Sequence, residues 1–150
     1  MAILNVTPDS FSDGGKFFSV EKALEQAEKL VGEGADILDV GGESTRPNSE
    51  RVSEDEEIRR VVPIIEAISQ KFDVPISIDT NKSVVAAAAM KAGAEIINDI
   101  SGLRFDENIG EIAAKTNAGL ILMHSRGEFE TMHKQTPLED SFREVARGFR

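Results

Sequence analysis

Cysteine is absent from this chain of 150 residues, which rules out disulfides, thiolate nucleophiles and zinc–sulfur centres. Basic residues are scarce beside acidic ones: 17 Lys and Arg against 27 Asp and Glu leave a net charge of −10. A surface of that sign does not neutralise a phosphate backbone, so broad nucleic-acid binding is excluded. A small anionic substrate is not excluded, because a few local arginines or a divalent cation reverse the field where they sit. No apolar run approaches the ~18 residues of a membrane span, and the N-terminus lacks the basic-then-apolar order of a secretory signal. The expectation is a cytoplasmic protein without membrane contact. Neither G-x-G-x-x-G nor G-x-x-x-x-G-K-[ST] follows any strand-like run, which weakens a nucleotide-binding reading.

What is present is an ordinary globular composition, 40% apolar and 29% charged, of a length that suits one domain over residues 1–150. Short apolar runs alternate with helical periods. The runs are Ala2–Val6, Ala35–Gly42, Val74–Thr80, Glu95–Ser101 and Gly119–His124. Between them Val20, Ala23, Leu24, Ala27, Leu30 and Val31 repeat at helical spacing, with Ser19 as the expected N-cap. Ile58, Val61, Val62, Ile65, Ile68 and Phe72 form a second pattern behind a Ser53–Glu56 capping box, with a kink or break expected at Pro63. An Ala-rich helix over 83–92, a short one capped by Asp106 and a last one over 138–150 complete a βαβαβαβαβα order. Ile-, Val- and Leu-rich strands separated by helices predict a parallel sheet covered on both faces. The two architectures are a doubly wound open sheet and part of a (βα)₈ barrel.

The strands finish on polar residues: Asn5, then Asp39 with Glu43 beyond it, Asp79, Asn98 with Asp99, and His124. Each alone reads equally well as a helix cap or loop-backbone partner. In a parallel barrel, however, all of them point to the C-terminal rim, and together they read as a polar site. A carboxylate with a carboxamide suits a heterocycle bearing amino and ring N–H groups, and such oxygens also suit Mg²⁺ beside a phosphate. Two long glycine-containing loops, "TPDSFSDGG" and "GGESTRPNSERVS", frame that rim and suit covers that order over a ligand. Arg46, behind Ser44 and Thr45, offers a fork of donors to an oxyanion.

Five segments in register, "ILNVTPDSFSDGG", "DVGGESTRP", "ISIDT-K", "AGAEIINDISG" and "MHSRG", closely resemble the dihydropteroate synthase family, the folate-pathway target of sulfonamides. The resemblance spans Ile3 to Gly127. It implies a pterin-binding (βα)₈ TIM barrel of which this chain covers about the first five βα units. It also implies an enzyme that joins 4-aminobenzoate to (7,8-dihydropterin-6-yl)methyl diphosphate. Carried over by position, Asn5 is the implied Mg²⁺ ligand, Asp79 and Asn98 hold the pterin, and Thr45 is another substrate contact. Asp9, Phe11 and Arg46 fall in loops that close over diphosphate and aminobenzoate and take the catalytic roles. The implied chemistry resembles an SN1 displacement needing no protein nucleophile, in keeping with the lack of Cys and of any Ser-His-Asp order.

The chain departs from the family at Ala2 and Asn48, where Gly is usual, and near Ser125. The family's later D-P-G-x-G-F-x-K, Lys and terminal S-R-K segments do not occur in it. Five units do not close an eight-stranded barrel, so open edges are expected at the first and fifth strands, with self-association as a dimer or a complementary C-terminal half as partner. Two alternatives stand beside the synthase: a non-catalytic half-barrel acting as a binding or assembly module, and another pterin-binding barrel of the methyltetrahydrofolate:corrinoid methyltransferase type. Of the other residues, Asp39 and Glu43 are expected to support the site and Asp99 to bind backbone. His124 is divided between ligand and backbone, while Arg126 and His133 are assigned to the surface. Met90 and Met123 are expected in the core or a pocket wall, and the acidic run 50–57 is read as a solvated helix start.

Overall fold

The computed structural model describes residues 1–6, 16–44, 51–124, 126–127, 131, 136–137 and 139–148, the side chains of 16–19 excepted. Five strands alternate with five helices: β1 (Ala2–Asn5), α1 (Lys16–Gly32), β2 (Leu38–Gly41), α2 (Glu54–Lys71), β3 (Ile76–Asp79), α3 (Ser83–Ala92), β4 (Ile96–Asp99), α4 (Asn108–Thr116), β5 (Gly119–Leu122) and α5 (Ser141–Gly148). All strand pairs are parallel and the sheet order is β1-β2-β3-β4-β5. Crossovers of one hand that always step to the next strand lay successive helices on the same side of the sheet. Accordingly α1 packs on α2, α2 on α3 and α3 on α4. The order never reverses, so this is five consecutive units of a (βα)₈ barrel and not a doubly wound sheet, whose order switches direction.

Helices cover one face of the sheet, and Asp39, Gly41 and Ser77 on the opposite face are buried as well, as expected. Strand side chains alternate between faces, and Leu4, Leu38, Val40, Ile76, Ile78 and Ile97 all face the helices, at most 2% exposed. They meet Ala23 and Ala27 of α1, Val61, Ile64, Ile65 and Ile68 of α2, and Val85, Ala86 and Ala89 of α3. Each large aliphatic chain buried there contributes on the order of 2 kcal/mol. Among the described residues β1 pairs only with β2 and β5 only with β4. At these two edges Ile3 (64% exposed), Ile121 and Met123 are open to solvent. Met123 is therefore not core but lines a cavity wall, and Met90 packs against the core, both within the expectation.

Four helix features differ from the sequence expectation. Helix α1 begins at Lys16, so Ser19 lies inside it and is not its cap; the apolar pattern starts at Val20, but nothing between 16 and 19 opposes helix. Ser53 Oγ accepts from the Glu56 N–H at 3.3 Å. The Glu56 carboxylate is held by Arg59 and Arg60, and among the described residues no reciprocal bond to the Ser53 N–H is seen. Helix α2 is continuous through Pro63. The ring is exposed, and the bond it cannot make belongs to the exposed Arg59, so water takes the carbonyl while the opposite face stays packed. The N-cap position of α4 is Glu107, which makes no side-chain cap bond, and not the expected Asp106 one residue before it. The Asp106 carboxylate accepts from Asn108 N–H at 3.1 Å and from Ser83 N–H at 2.7 Å, tying down the starts of both α4 and α3. Burial would raise that carboxyl, but the hydrogen bonds from Ser83 and Asn108 outweigh it and hold it below its ordinary value.

Candidate active site

Strand register determines which polar ends meet. Asn5 is level with Gly41, Gly41 with Asp79, and Asp79 with Asn98. The four form one transverse row at the C-terminal ends of β1 to β4, on the face away from the helices. Gly41 keeps the row open. A Cβ on it would lie 3.4 Å from Asn5 Oδ1 and 3.6 Å from Asp79 Oδ2, so the missing side chain leaves both oxygens flanking a gap.

One layer deeper on the same face, Asp39 is level with Ser77. Asp39 is 3% exposed and Ser77 is fully buried. Asp39 Oδ2 accepts from Asn98 Nδ2 at 3.0 Å. An amide whose N–H₂ is held in this way turns its carbonyl oxygen toward the remaining space as an acceptor. Asp39 Oδ1 and Ser77 Oγ are buried and make no hydrogen bond among the described residues. Asp39 thus orients Asn98.

The carboxylates converge without a cation in the row. Burial, followed by the charges of Asp39, Glu57, Asp99 and Glu43, pushes the half-buried Asp79 carboxyl up to about 7. Near neutral pH it is poised between acceptor-only carboxylate and a form that also donates. Asp99 faces the other way. Fully buried, it accepts from Ser101 N–H at 2.8 Å and Leu103 N–H at 2.7 Å, holding the turn in which Leu103 takes a φ of 67°.

Glu43 does not join the row. It is buried against Lys82 and Glu57. Glu57, 1% exposed, overturns the reading of 50–57 as a wholly solvated helix start. Its spacing with Val61, Ile64 and Ile68 places it on the buried stripe of α2, and that periodicity was the available signal. Lys82 was visible only as the last letter of "ISIDT-K". His124 and Arg126 line a cavity of about 310 Å³ with Ser101, Arg104, Met123 and Gly148. The Arg126 guanidinium donates to the Thr136 carbonyl, so it is not simply a solvent-facing group. Asp9, Phe11, Thr45, Arg46 and His133 lie outside the described residues.

Among the described residues no group of three or more His, Cys, Asp or Glu could hold a metal ion. The oxygens beside the Gly41 gap nevertheless suit Mg²⁺, which takes one or two protein oxygens and completes its shell with water and substrate phosphate. No helix among the described residues is long and apolar enough to cross a membrane.

Comparison with known proteins agrees with this fold. Over 128 residues the chain is 57% identical to the dihydropteroate synthase of Bacillus subtilis, covering 85% of this chain and 45% of that protein. Over 149 residues it is 50% identical to that of Synechocystis, covering 99% and 52%. It superposes on the dihydropteroate synthase of Clostridium difficile, solved in the presence of pteroic acid, with a TM-score of 0.89 at 44% identity, covering 99% of this chain and 54% of that one. The Yersinia pestis enzyme in a sulfonamide drug complex gives 0.88 at 46% identity, covering 99% and 54%. The chain therefore spans about half the length of these relatives. The family described as pterin binding enzyme matches residues 1–150, and the chain belongs to that family.

Proposed function

We propose that this chain carries the pterin-binding part of a dihydropteroate synthase site, which condenses 4-aminobenzoate with (7,8-dihydropterin-6-yl)methyl diphosphate. The observation that carries the reading is the row Asn5–Gly41–Asp79–Asn98, with Asp39 orienting its amide. Asp79 receives the paired N–H groups of the pterin, and the Asn98 carbonyl oxygen accepts beside it. The Gly41 gap admits the edge of the ring between Asn5 and Asp79. Bound Mg²⁺ supplies charge neutralisation for the departing diphosphate, and Asn5 is the residue of this chain that would hold it. In the reaction the C–O bond to diphosphate breaks, the pterin methylene carries the positive charge, and the arylamine nitrogen attacks and then loses a proton. Asp79 and Asn98 are half-buried beside the buried Gly41 and Asp39, and the reaction needs no protein nucleophile. Asp9, Phe11, Thr45 and Arg46 are assigned by resemblance to the loops that close over diphosphate and aminobenzoate. The cytoplasm as the site of reaction belongs to the same proposal.

A second reading has its own support. The open edges at β1 and β5, with Ile3, Ile121 and Met123 exposed, suit a half-barrel that acts as a binding or assembly module. Such a module either dimerises or pairs with a complementary C-terminal half. The methyltransferase-type barrel has no observation in its favour beyond the shared strand-end Asp and Asn.

Calorimetric titration of a pterin diphosphate analogue in Mg²⁺ tests the site. Magnesium-dependent binding is expected, weakened at least about 100-fold by Asp79→Ala, because a heterocycle loses its paired acceptor. Unchanged binding by Asp79→Ala would overturn the assignment. No binding by either form, with dimers in sedimentation, would favour the assembly reading.

A further inference from the structure

A buried ionic cluster joins Glu43, Glu57 and Lys82, outside the row. Lys82 Nζ is 2.9 Å from Glu43 Oε2 and 2.6 Å from Glu57 Oε2, and it donates to the Val52 carbonyl at 2.7 Å. The Val52 N–H donates to Glu43 Oε1 at 2.6 Å. The three side chains are 11%, 6% and 1% exposed. Their sum is one negative charge in a nearly dry site. Buried pairs recover little net stability, because desolvation cancels most of the attraction, so the cluster is poorly explained as mere glue. What it does is hold one short piece of backbone by both its polar groups.

That piece closes the loop after β2. At the loop's start, Arg60 Nη1 donates to the Gly42 carbonyl at 3.0 Å. At its end, Arg51 Nη2 donates to Asn81 Oδ1 at 3.1 Å, and Val52 is gripped by Glu43 and Lys82. Gly42 and Val52 are thus both tethered points. Both Asn81 and Lys82 belong to the turn directly after Asp79 and Thr80, where Thr80 Oγ1 accepts from the Lys82 N–H at 3.3 Å.

We infer that Lys82 is a positioning residue that ties the backbone at Val52, ahead of α2, to the turn behind the strand end bearing Asp79. Val52 and that turn are then held together by one ammonium group. Glu57 neutralises that ammonium from α2, and Glu43 passes the tie on to Val52. The inference rests on the site proposed above, but the clamp itself is measurable without ligand.

Amide hydrogen exchange is the test, on the whole chain of 150 residues. In Lys82→Met, Val52 exchange should accelerate at least tenfold, while the strand amides of Val40 and Ile78 change less than about twofold. Glu43→Gln keeps the side-chain volume and should move Val52 in the same direction by less. Lys82→Met/Glu57→Gln removes a stranded carboxylate, so it should recover the urea midpoint without restoring Val52 protection. Unchanged Val52 exchange would overturn the inference, as would Val52 protection that returns with the midpoint or acceleration shared equally with Ile78. With the Mg²⁺ analogue titration, Lys82→Met should bind at least tenfold more weakly and the double variant no better. An absence of binding by the unmodified chain counts against the proposed function alone, and the exchange results still decide the clamp.

Discussion

The two faces of the sheet are built from the same four-residue strands and could hardly differ more. Toward the helices the strands present Leu38, Val40, Ile76, Ile78 and Ile97, all essentially without solvent contact. Toward the opposite side the neighbouring positions are Asp39, Gly41, Ser77, Asp79 and Asn98. The first face has side chains whose only demand is to be packed. The second holds buried polar atoms, and Asp39 Oδ1 and Ser77 Oγ have no hydrogen-bond partner among the described residues. Such atoms cost free energy unless something else occupies them. Stability and chemistry are thus divided by the pleat: each odd step along a strand serves one and each even step the other. A substitution should accordingly affect folding or ligand, depending on which way its side chain points.

Ile78→Ala on the helix face should show the largest effect on folding. A fully buried branched chain is lost from the centre of the sheet, and unfolding free energy should fall by about 4 kcal/mol in urea titration. A loss below about 1 kcal/mol would mean that this face is not the core. On the opposite face Asp79→Asn should stabilise, with a distinct pH signature. The Asp79 carboxyl is pushed up to about 7 by burial first and then by the surrounding carboxylates. Its contribution to stability is fully present below the ordinary carboxylate range and is lost as pH rises through the folded value. Replacing it with Asn removes that loss, so the variant should gain on the order of 2 kcal/mol over the unmodified chain at pH 8 and little at pH 4. Parallel pH profiles for the two proteins would contradict the crowding of carboxylates around this residue. Smallest should be Gly41→Ala. The added methyl meets its neighbours at 3.4 Å or more, an ordinary contact, so stability should stay within about 0.5 kcal/mol. Binding of the pterin analogue should weaken at least about tenfold, one decade being about 1.4 kcal/mol, because the gap is filled.

The division between faces also explains how much of the molecule was legible in its sequence. Apolar runs ending on Asn5, Asp79 and Asn98 were legible because a parallel strand is apolar along its length, which makes a polar terminus conspicuous. Alternation with helical periods conveyed the βα order, but not whether the sheet closes or winds both ways; that depended on strand order. Asp39 holding Asn98 joins residues 59 positions apart, and no local pattern encodes such a pair. Glu57 was hidden behind Glu54, Asp55 and Glu56, which are exposed or half-exposed, and only its register with Val61 marked it. Pro63 misled because its effect depends on which side of the helix the ring faces. Asp9, Phe11, Thr45 and Arg46 still rest on resemblance.

Because the sheet order simply follows the chain and each of α1 to α4 leans on its immediate neighbour, every unit finds its partner in the segment made just before it. Such an arrangement has short sequence separations between contacting parts, which favours rapid assembly. It also suits growth from a ribosome, since the first βα units can settle against one another while later ones are still being synthesised.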